Sequence, residues 1–353
     1  MDGSYFHRVQ RATPTRFWIN NVTRAEAEYA LEAGAVGCTQ NPAYTWKLLS
    51  MAEELPYVTG LLDEIQKTEP DDNKTLVKLQ CALVEDIAKR FMPLYEQTRG
   101  KQGYVSIQGD PFHEDQDSIV EFARYHHKAG PNIMAKIPVT EEGLKAIEIL
   151  AAEGIPINAT ECMTVRQVLD VCETYTNAIK GLRSPSPLYF SLITGIYDEY
   201  LQKYVQEHNV DIGRDALWQA GISIAKKVHA LVKERNYPCG FIGGGARGLH
   251  HFTEMVGADA SITINWKGTA DVLLEQNAPV VSRFLQPTPA SVDDVLLEKL
   301  RDYRKAYFIH GIEPHEYEDF GPVVLFRRTF ENAWRNALMF IAGHRKACVL
   351  EVR

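Results

Sequence analysis

The sequence predicts a (β/α)8 barrel, a closed ring of eight parallel strands with helices around it. Eight short apolar runs rich in β-forming residues recur along the chain, and helical patterns lie between them. Strands that alternate with helices form parallel sheets. Eight such units over roughly 250 residues match the usual length of one barrel domain. A doubly wound open sheet is the alternative, but no G-x-G-x-x-G motif follows the first run.

The predicted strands are bounded by turn residues and are four to eight residues long, as buried strands usually are. In chain order they are 16–20 (RFWIN), 34–39 (GAVGCT), 103–108 (GYVSIQ), 132–138 (NIMAKIP), 155–160 (IPINAT), 187–193 (PLYFSLI), 239–244 (CGFIGG) and 260–265 (ASITIN).

The helices between them carry start and stop signals. Residues 23–34 begin at a threonine cap and end at glycine, and residues 140–154 place Leu144, Ile147 and Leu150 on one stripe between the same two signals. The remaining helical patterns are residues 118–130, 164–179 and 215–234.

Two segments are additional to the eight strand–helix units of the barrel. Residues 53–100 are predicted to be a helical insertion between the second and third strands. The barrel itself is expected over about residues 14–285, and residues 290–353 are expected to form a helical tail, with 330–340 its clearest amphipathic part. The whole chain, 1–353, is therefore predicted to be one domain.

The composition indicates a cytoplasmic protein that binds neither nucleic acid nor a membrane. Asp plus Glu number 46 against 38 Lys plus Arg, so the formal charge of -8 argues against a nucleic-acid surface. The first ten residues contain no apolar run typical of a secretory signal, so none is expected, and no stretch approaches about 18 apolar residues. The six cysteines are scattered without a C-x-x-C pair, which favours reduced thiols and gives no support to a zinc site.

Lys136 is the residue that points to chemistry, because it interrupts the apolar strand 132–138. Residues of a barrel strand alternate between the lumen and the helix layer, so if Ile137 faces the helices, Lys136 points into the lumen near the C-terminal mouth. Burial lowers the pKa of a lysine, and a neutral amine can form a Schiff base with a carbonyl. A structural lysine paired with a carboxylate is the alternative.

The segment AKIPVTEEGLKAIEILAAEGIPINAT resembles the K-I-P-x-T-x-x-G-L-x-A…G-I-x-x-N-x-T signature of the transaldolase family. Further blocks follow the family in order over roughly residues 14–345. They are FWINNVTRAEAE, GAVGCTQNPAY, YVSIQGD, SLITGIYDEY and FIGGGARG, with FENAW similar to the fructose-6-phosphate aldolases of the family. The resemblance implies a Schiff-base enzyme of the pentose phosphate pathway type that needs no metal or other cofactor.

The resemblance also implies roles for individual residues. Lys136 would be the Schiff-base lysine, and Thr160 and Gln108 would hold the water that transfers protons. The side chains expected to bind the substrate are Thr39, Asn41, Asn158 and Ser191, with the turn around Gly244, Gly245 and Arg247 holding an anionic end.

One departure from the family removes an acid. The aspartate that acts on the C4 hydroxyl is replaced by Asn20, and Asn21 is expected to face the other side of the strand. An amide cannot take up a proton, and positioned acid–base catalysis contributes about 10²–10⁴-fold. Glu161, directly after Thr160, could supply the missing carboxylate only if its strand bends or bulges.

A second departure concerns phosphate. The family's arginine at the start of the helix after the sixth strand is Ile196 here, and the hydroxyl two residues before Arg247 has become Gly245. The backbone amides of the GGG turn could hold an anion, or the turn could be structural only.

By this resemblance, the expected reaction is transfer or cleavage of a dihydroxyacetone unit of a ketose phosphate through Lys136. Two alternatives stay open: a divergent lysine-dependent aldolase or transaldolase for a non-phosphorylated or sulfonated sugar, and a pseudoenzyme that binds a sugar phosphate without turnover. The expected partner is a small sugar or sugar phosphate, and the tail makes a homo-oligomer plausible by resemblance.

Overall fold

The computed structural model describes residues 3–351 and confirms the predicted (β/α)8 barrel. All eight strands run parallel, and β1 closes the ring by pairing with β8. The strands are β1 Arg16–Asn20, β2 Gly37–Thr39, β3 Tyr104–Gln108, β4 Ile133–Pro138, β5 Ile157–Cys162, β6 Leu188–Leu192, β7 Gly240–Gly243 and β8 Ser261–Asn265.

Helices surround the strands and extend the chain beyond the barrel. They are α1 Tyr5–Ala12, α2 Arg24–Ala33, α3 Tyr44–Leu49, α4 Leu55–Gln66, α5 Asp72–Gln97, α6 Gln116–His127, α7 Glu141–Ala152, α8 Val165–Ala178, α9 Thr194–His208, α10 Arg214–Leu217, α11 Ala220–Glu234, α12 His250–Thr253, α13 Asp271–Gln276, α14 Ala290–Lys299, α15 Arg301–Tyr307 and α16 Gly321–Glu351. A π-helical turn covers Trp266–Ala270, and a short 3-10 turn covers Pro314–Glu316.

Local signals place several helix ends where the sequence predicts them. Thr23 and Glu26 form a reciprocal capping box at the start of α2, and Gly34 ends that helix in a left-handed conformation with φ of 104°. Thr140 caps α7 in the same way as predicted. The predicted helix 215–234 is wrong in one respect, because it divides into α10 and α11 at Trp218 and Gln219.

The insertion after β2 and the C-terminal helix pack against each other outside the strands of the barrel. The insertion is α3, α4 and the 26-residue α5. Helix α16 packs on α3, α5 and α9, where Trp334 is buried and donates to Asn73 Oδ1 over 2.9 Å. The C-terminal helix is thereby fixed to the insertion, and its first turns lie over the barrel mouth. No helix within residues 3–351 is long and apolar enough to cross a membrane.

Candidate functional site

Lys136 lies in β4 with its side chain in the lumen. The neighbours of Lys136 across the sheet are Gln108 on β3 and Asn158 on β5. The residue is only 7% exposed, and among the described residues no carboxylate oxygen lies within 4.0 Å of the amine. The Phe330 ring centroid is 6.0 Å from Nζ.

Burial determines the protonation of this amine. Loss of hydration lowers the pKa of Lys136 to about 8, against the opposing charge of Glu161. With that pKa, roughly a tenth of the amines are uncharged at pH 7, against roughly one in three thousand for an ordinary lysine. The site therefore holds an amine of which a sizeable fraction is uncharged at neutral pH.

The amine opens into a cavity of about 200 Å³ at the C-terminal mouth of the barrel. This mouth is where barrel enzymes place their chemistry. The wall is rich in amides and hydroxyls, and among the described residues no carboxylate contributes to it. It consists of Asn20, Asn21, Thr39, Asn41, Ala43, Lys136, Thr160, Ser191, Ile193, Gly244, Gly245, Ala246, Arg247, Thr263, Ile264, Asn265, Phe326, Thr329 and Phe330.

Asn20 takes part in a neutral hydrogen-bond chain at the ends of β1, β2 and β8. Its carbonyl oxygen accepts from Thr39 Oγ1 at 2.9 Å, and its Nδ2 donates to Asn265 Oδ1 at 2.9 Å. The hydroxyls of Thr39 and Thr263 lie 2.8 Å apart. This chain presents donors and acceptors to a ligand, but it contains no group that titrates near neutral pH.

Asn21 and Asn41 bond to each other across the first two strand ends. Asn21 Nδ2 donates to Asn41 Oδ1 at 2.9 Å, and the Asn41 amide donates back to Asn21 Oδ1 at 3.0 Å. Asn21 has a φ of 45°, and both residues lie on the cavity wall. The sequence placed Asn21 on the other face of the strand, and its left-handed backbone turns it to the cavity instead.

Asn158 lies deeper than the other predicted substrate ligands. Its Nδ2 donates to Ser106 Oγ at 3.1 Å, and its Oδ1 accepts from Ser191 Oγ at 2.7 Å. Asn158 is fully buried and is not part of the cavity wall, whereas Ser191 is. Asn158 thus fixes the orientation of the Ser191 hydroxyl, and direct contact between Asn158 and a substrate stays a prediction.

Glu161 lies on a bulge, which is the condition under which it could replace the missing acid. The pairing of β5 with β6 shifts between Ala159 and Cys162, and Glu161 has a φ of 65°. Its Oε1 accepts from Gln108 Nε2 at 2.9 Å, so the carboxyl lies across the top of β4. Thr160, one residue earlier, lies on the cavity wall.

The Arg247 turn is already engaged within the protein. Arg247 Nε donates to Glu199 Oε2 at 2.6 Å, and the Arg247 backbone amide donates to His251 Nδ1 at 3.2 Å. The Gly244 amide donates to Leu192 O at 2.9 Å. Gly245 adopts a φ of 67°, a conformation that glycine takes without steric cost. An anion here would compete with Glu199 and would have few free amides.

His250 and His251 lie behind this turn. Their ring nitrogens and the Asp198 carboxylate lie within 4.8 Å of one another. His251 Nε2 is 3.0 Å from Asp198 Oδ2, while its Nδ1 accepts from the backbone. A neutral His251 is therefore fully hydrogen-bonded, and the pair supports the Arg247 turn.

The structure adds residues that the sequence did not single out. Phe326, Thr329 and Phe330 of α16 close one side of the cavity. Arg327, on the same helix, is 3.0 Å from the Glu114 carboxylate, which follows β3. The amphipathic pattern of 330–340 signalled a packed helix, but nothing local indicated which barrel end it would contact.

Known proteins match this chain over most of the barrel. The sequence profile of the Transaldolase/Fructose-6-phosphate aldolase family matches residues 17–305. The chain belongs to this family. The match spans all eight strands and the lysine-bearing β4, as the resemblance of the motifs predicts.

Individual relatives within the family are distant. A transaldolase of Trichodesmium erythraeum is 29% identical over 217 residues, 54% of this chain and 55% of that protein. A transaldolase of Thiobacillus denitrificans is 29% identical over 178 residues, 48% of each chain, and a Nostoc transaldolase 2 is 32% identical over 174 residues, 47% of this chain and 44% of that protein. The chain spans about half the length of these relatives.

Proposed function

We propose that this family member forms a Schiff base between Lys136 and a ketose and transfers or cleaves its dihydroxyacetone unit. The observation that carries the proposal is a buried lysine with a pKa of about 8, open to a polar cavity at the barrel mouth. The neutral amine adds to the ketose carbonyl, and loss of water gives an iminium. The C3–C4 bond then breaks with its electrons moving into the iminium, which leaves an enamine on Lys136 and releases an aldose.

The amide-rich wall is suited to a polyhydroxylated chain. Thr39, Asn41 and Ser191 offer hydrogen bonds in fixed orientations, because each is held by a neighbouring side chain. Thr160 and Gln108 complete the surroundings of the amine. Asn20 replaces an acid with a neutral donor and acceptor, so the C4 hydroxyl must lose its proton to another group or to water.

A second substrate class is favoured by the Arg247 ion pair. Arg247 is occupied by Glu199, and Ile196 stands where the family has an arginine. One half-exposed guanidinium that already holds a carboxylate binds phosphate poorly compared with two forked guanidiniums. We therefore propose that the ketose ends in a neutral group, or in a weakly held anion such as a sulfonate.

Turnover with matched substrates tests the proposal. The protein is incubated with an aldose acceptor and a ketose donor, with and without a terminal phosphate, and new ketoses are separated and identified. We expect transfer from the non-phosphorylated donor, and no transfer by Lys136→Met. Glu199→Gln is expected to improve use of the phosphorylated donor several-fold, mainly by lowering KM.

A sugar-binding pseudoenzyme would give a different pattern. It would bind a ketose tightly, as measured by calorimetry, with neither transfer nor cleavage and with equal affinity in Lys136→Met. That result would contradict the proposed enzyme.

A further inference from the structure

The β5 bulge turns a carboxyl toward the lysine. A bulge inserts an extra residue into a strand and re-aims a side chain, and bulges are frequent beside active sites. Glutamate rarely adopts a left-handed backbone, so the φ of 65° at Glu161 is kept by the surrounding structure. Thr160 lies on the cavity wall, and the next residue, Glu161, directs its carboxyl to Gln108 on β3, across the end of the lysine-bearing β4.

The Glu161 carboxyl has one free oxygen in a buried setting. Glu161 is 0% exposed, and its Oε1 accepts from Gln108 Nε2. Its Oε2 is buried and has no hydrogen-bond partner within the part of the chain that the structure describes. Thr160 Oγ1, on the cavity wall, is likewise buried and without a hydrogen-bond partner there. Such atoms cost free energy unless a ligand, a water or a proton uses them.

The charged groups around Glu161 come from three directions. Lys136 lies below it on β4, Glu114 lies beyond Gln108 after β3, and Arg327 and Glu318 approach from α16 and the segment before it. Arg327 pairs with Glu114 at 3.0 Å. Burial raises the pKa of both glutamates, and the positive charge of Arg327 opposes that rise.

The net charge of Lys136, Arg327, Glu114 and Glu161 limits how many of the two glutamates can be ionised at once. With Arg327 positive and Lys136 neutral, two ionised glutamates would leave a buried net negative charge, which burial disfavours. One proton retained on the glutamate pair removes that charge. The state with an uncharged Lys136 amine is therefore also a state in which the pair of Glu161 and Glu114 retains a proton.

We propose that Glu161 is the acid–base group of the Schiff-base steps. When the Lys136 amine has added to the ketone, the carbinolamine oxygen takes the proton of Glu161 and leaves as water, while the nitrogen lone pair forms the C=N bond. In hydrolysis the ionised Glu161 takes that proton back from the attacking water. This inference rests on the proposed function. It assigns Glu161 a proton transfer that Gln108 and Asn20 cannot perform, because side-chain amides neither release nor take up a proton near neutral pH.

Trapping rates separate this role from the proposed function. The full-length protein and Glu161→Gln are mixed with dihydroxyacetone and cyanoborohydride, and the adduct on Lys136 is followed by mass spectrometry over pH 5–10. Glutamine keeps the size of the side chain and a carbonyl that can accept from Gln108. We expect trapping of Glu161→Gln to be about 10²-fold slower. Glu318→Gln, the same change on a half-exposed carboxylate 3.9 Å from Arg327, is the matched control and is expected to stay within about two-fold.

The pH profile gives a readout that a structural role would not move. The wild-type rate should pass through a maximum with pH, because the step needs an uncharged Lys136 amine and a protonated Glu161. Glu161→Gln should lose the alkaline fall. If that variant fails to fold, Gln108→Leu replaces it: removing a hydrogen bond that favours the ionised carboxylate raises the pKa of Glu161 and moves the alkaline fall to higher pH.

Two results have distinct meanings. An adduct on wild-type Lys136 that forms equally fast in Glu161→Gln, with the same pH profile, overturns the role of Glu161 and leaves the proposed function standing. No adduct on wild-type Lys136 with any ketone overturns the proposed function itself.

Discussion

Lys136 illustrates how a single side chain is made reactive by its surroundings. Its amine is surrounded by the strand ends below and the α16 aromatic residues above, and the described carboxylates nearby act on it only from beyond ion-pair distance. Loss of hydration is the largest influence on its pKa, and the attraction of Glu161 only partly offsets it. The same desolvation that makes the amine nucleophilic must destabilise the folded state.

That cost can be measured by Lys136→Met. The pKa of Lys136 falls from 10.5 in the unfolded chain to about 8 in the fold, and each pKa unit corresponds to about 1.4 kcal/mol. We expect the variant to be about 3 kcal/mol more stable at pH 7. Since the unfolded chain binds more protons than the fold between pH 8 and 10.5, wild type gains stability over that window and the difference closes.

Denaturant unfolding at several pH values checks this expectation. Lys180→Met, at an exposed position on the C-terminal side of α8, serves as the control and should show no such difference. A Lys136→Met variant that is less stable than wild type at pH 7 would show that the lysine is satisfied in the fold.

Asn20 stands where the family resemblance implies an aspartate. In Asn20→Asp, the new carboxylate would accept from Thr39 and require Asn265 to present its NH2 group instead of its oxygen. We expect at least a ten-fold gain in cleavage of a 4-hydroxy ketose, because the added base can remove the C4 hydroxyl proton. Release of the aldose, followed by a coupled assay, measures the gain. An unchanged rate would mean that the C4 hydroxyl does not approach β1.

At the scale of elements, the C-terminal helix covers one side of the site with aromatic residues. The ring centroids of Phe326 and Phe330 of α16 lie 4.4 Å apart in a tilted arrangement, and the two rings form the apolar side of an otherwise polar cavity. The helix is held at the barrel mouth through contacts with α3, α5 and α9 and through the Arg327–Glu114 ion pair. It therefore contributes to the pKa of Lys136 without touching the reacting atoms.

Phe330→Ala tests that contribution. We expect the pKa of Lys136 to rise toward its ordinary value, since water would enter where the ring was. The ring's own attraction for a cation acts in the opposite sense, but at 6.0 Å it is weak. Stability should fall by about 3–5 kcal/mol, as for other buried aromatic truncations. The pH dependence of amine acylation at Lys136 reports the pKa.

A matched truncation on the same helix separates packing from hydration. Phe340 packs against the core farther along α16, away from the cavity wall. Phe340→Ala should lower stability without moving the pKa of Lys136. Equal pKa changes in both variants would contradict the claim that Phe330 excludes water from the amine.

At the scale of the whole molecule, the sequence was sufficient to predict the closed barrel and insufficient to predict the packing around its C-terminal mouth. Short apolar runs between helical patterns predicted all eight strands, because strands of a buried parallel sheet are apolar on both faces. Lys136 could be placed in the lumen from one strand's alternation. Three features could not be predicted from the sequence, because each depends on packing between distant segments. They are the bulge at Glu161, the orientation of Asn21 toward the cavity and the contact of α16 with the barrel mouth.

Two properties beyond the fold depend on surroundings that one chain does not contain. A cytoplasmic location and a homo-oligomeric state stay predictions. The barrel and the family are established, and the proposed chemistry depends on one covalent bond at the barrel mouth.

Borohydride reduction in the presence of a ketose tests that bond most directly. Peptide mapping by mass spectrometry should find the reduced adduct on Lys136 alone and should find none in Lys136→Met. An active protein that gives no adduct, or whose adduct lies on another lysine, would contradict the account.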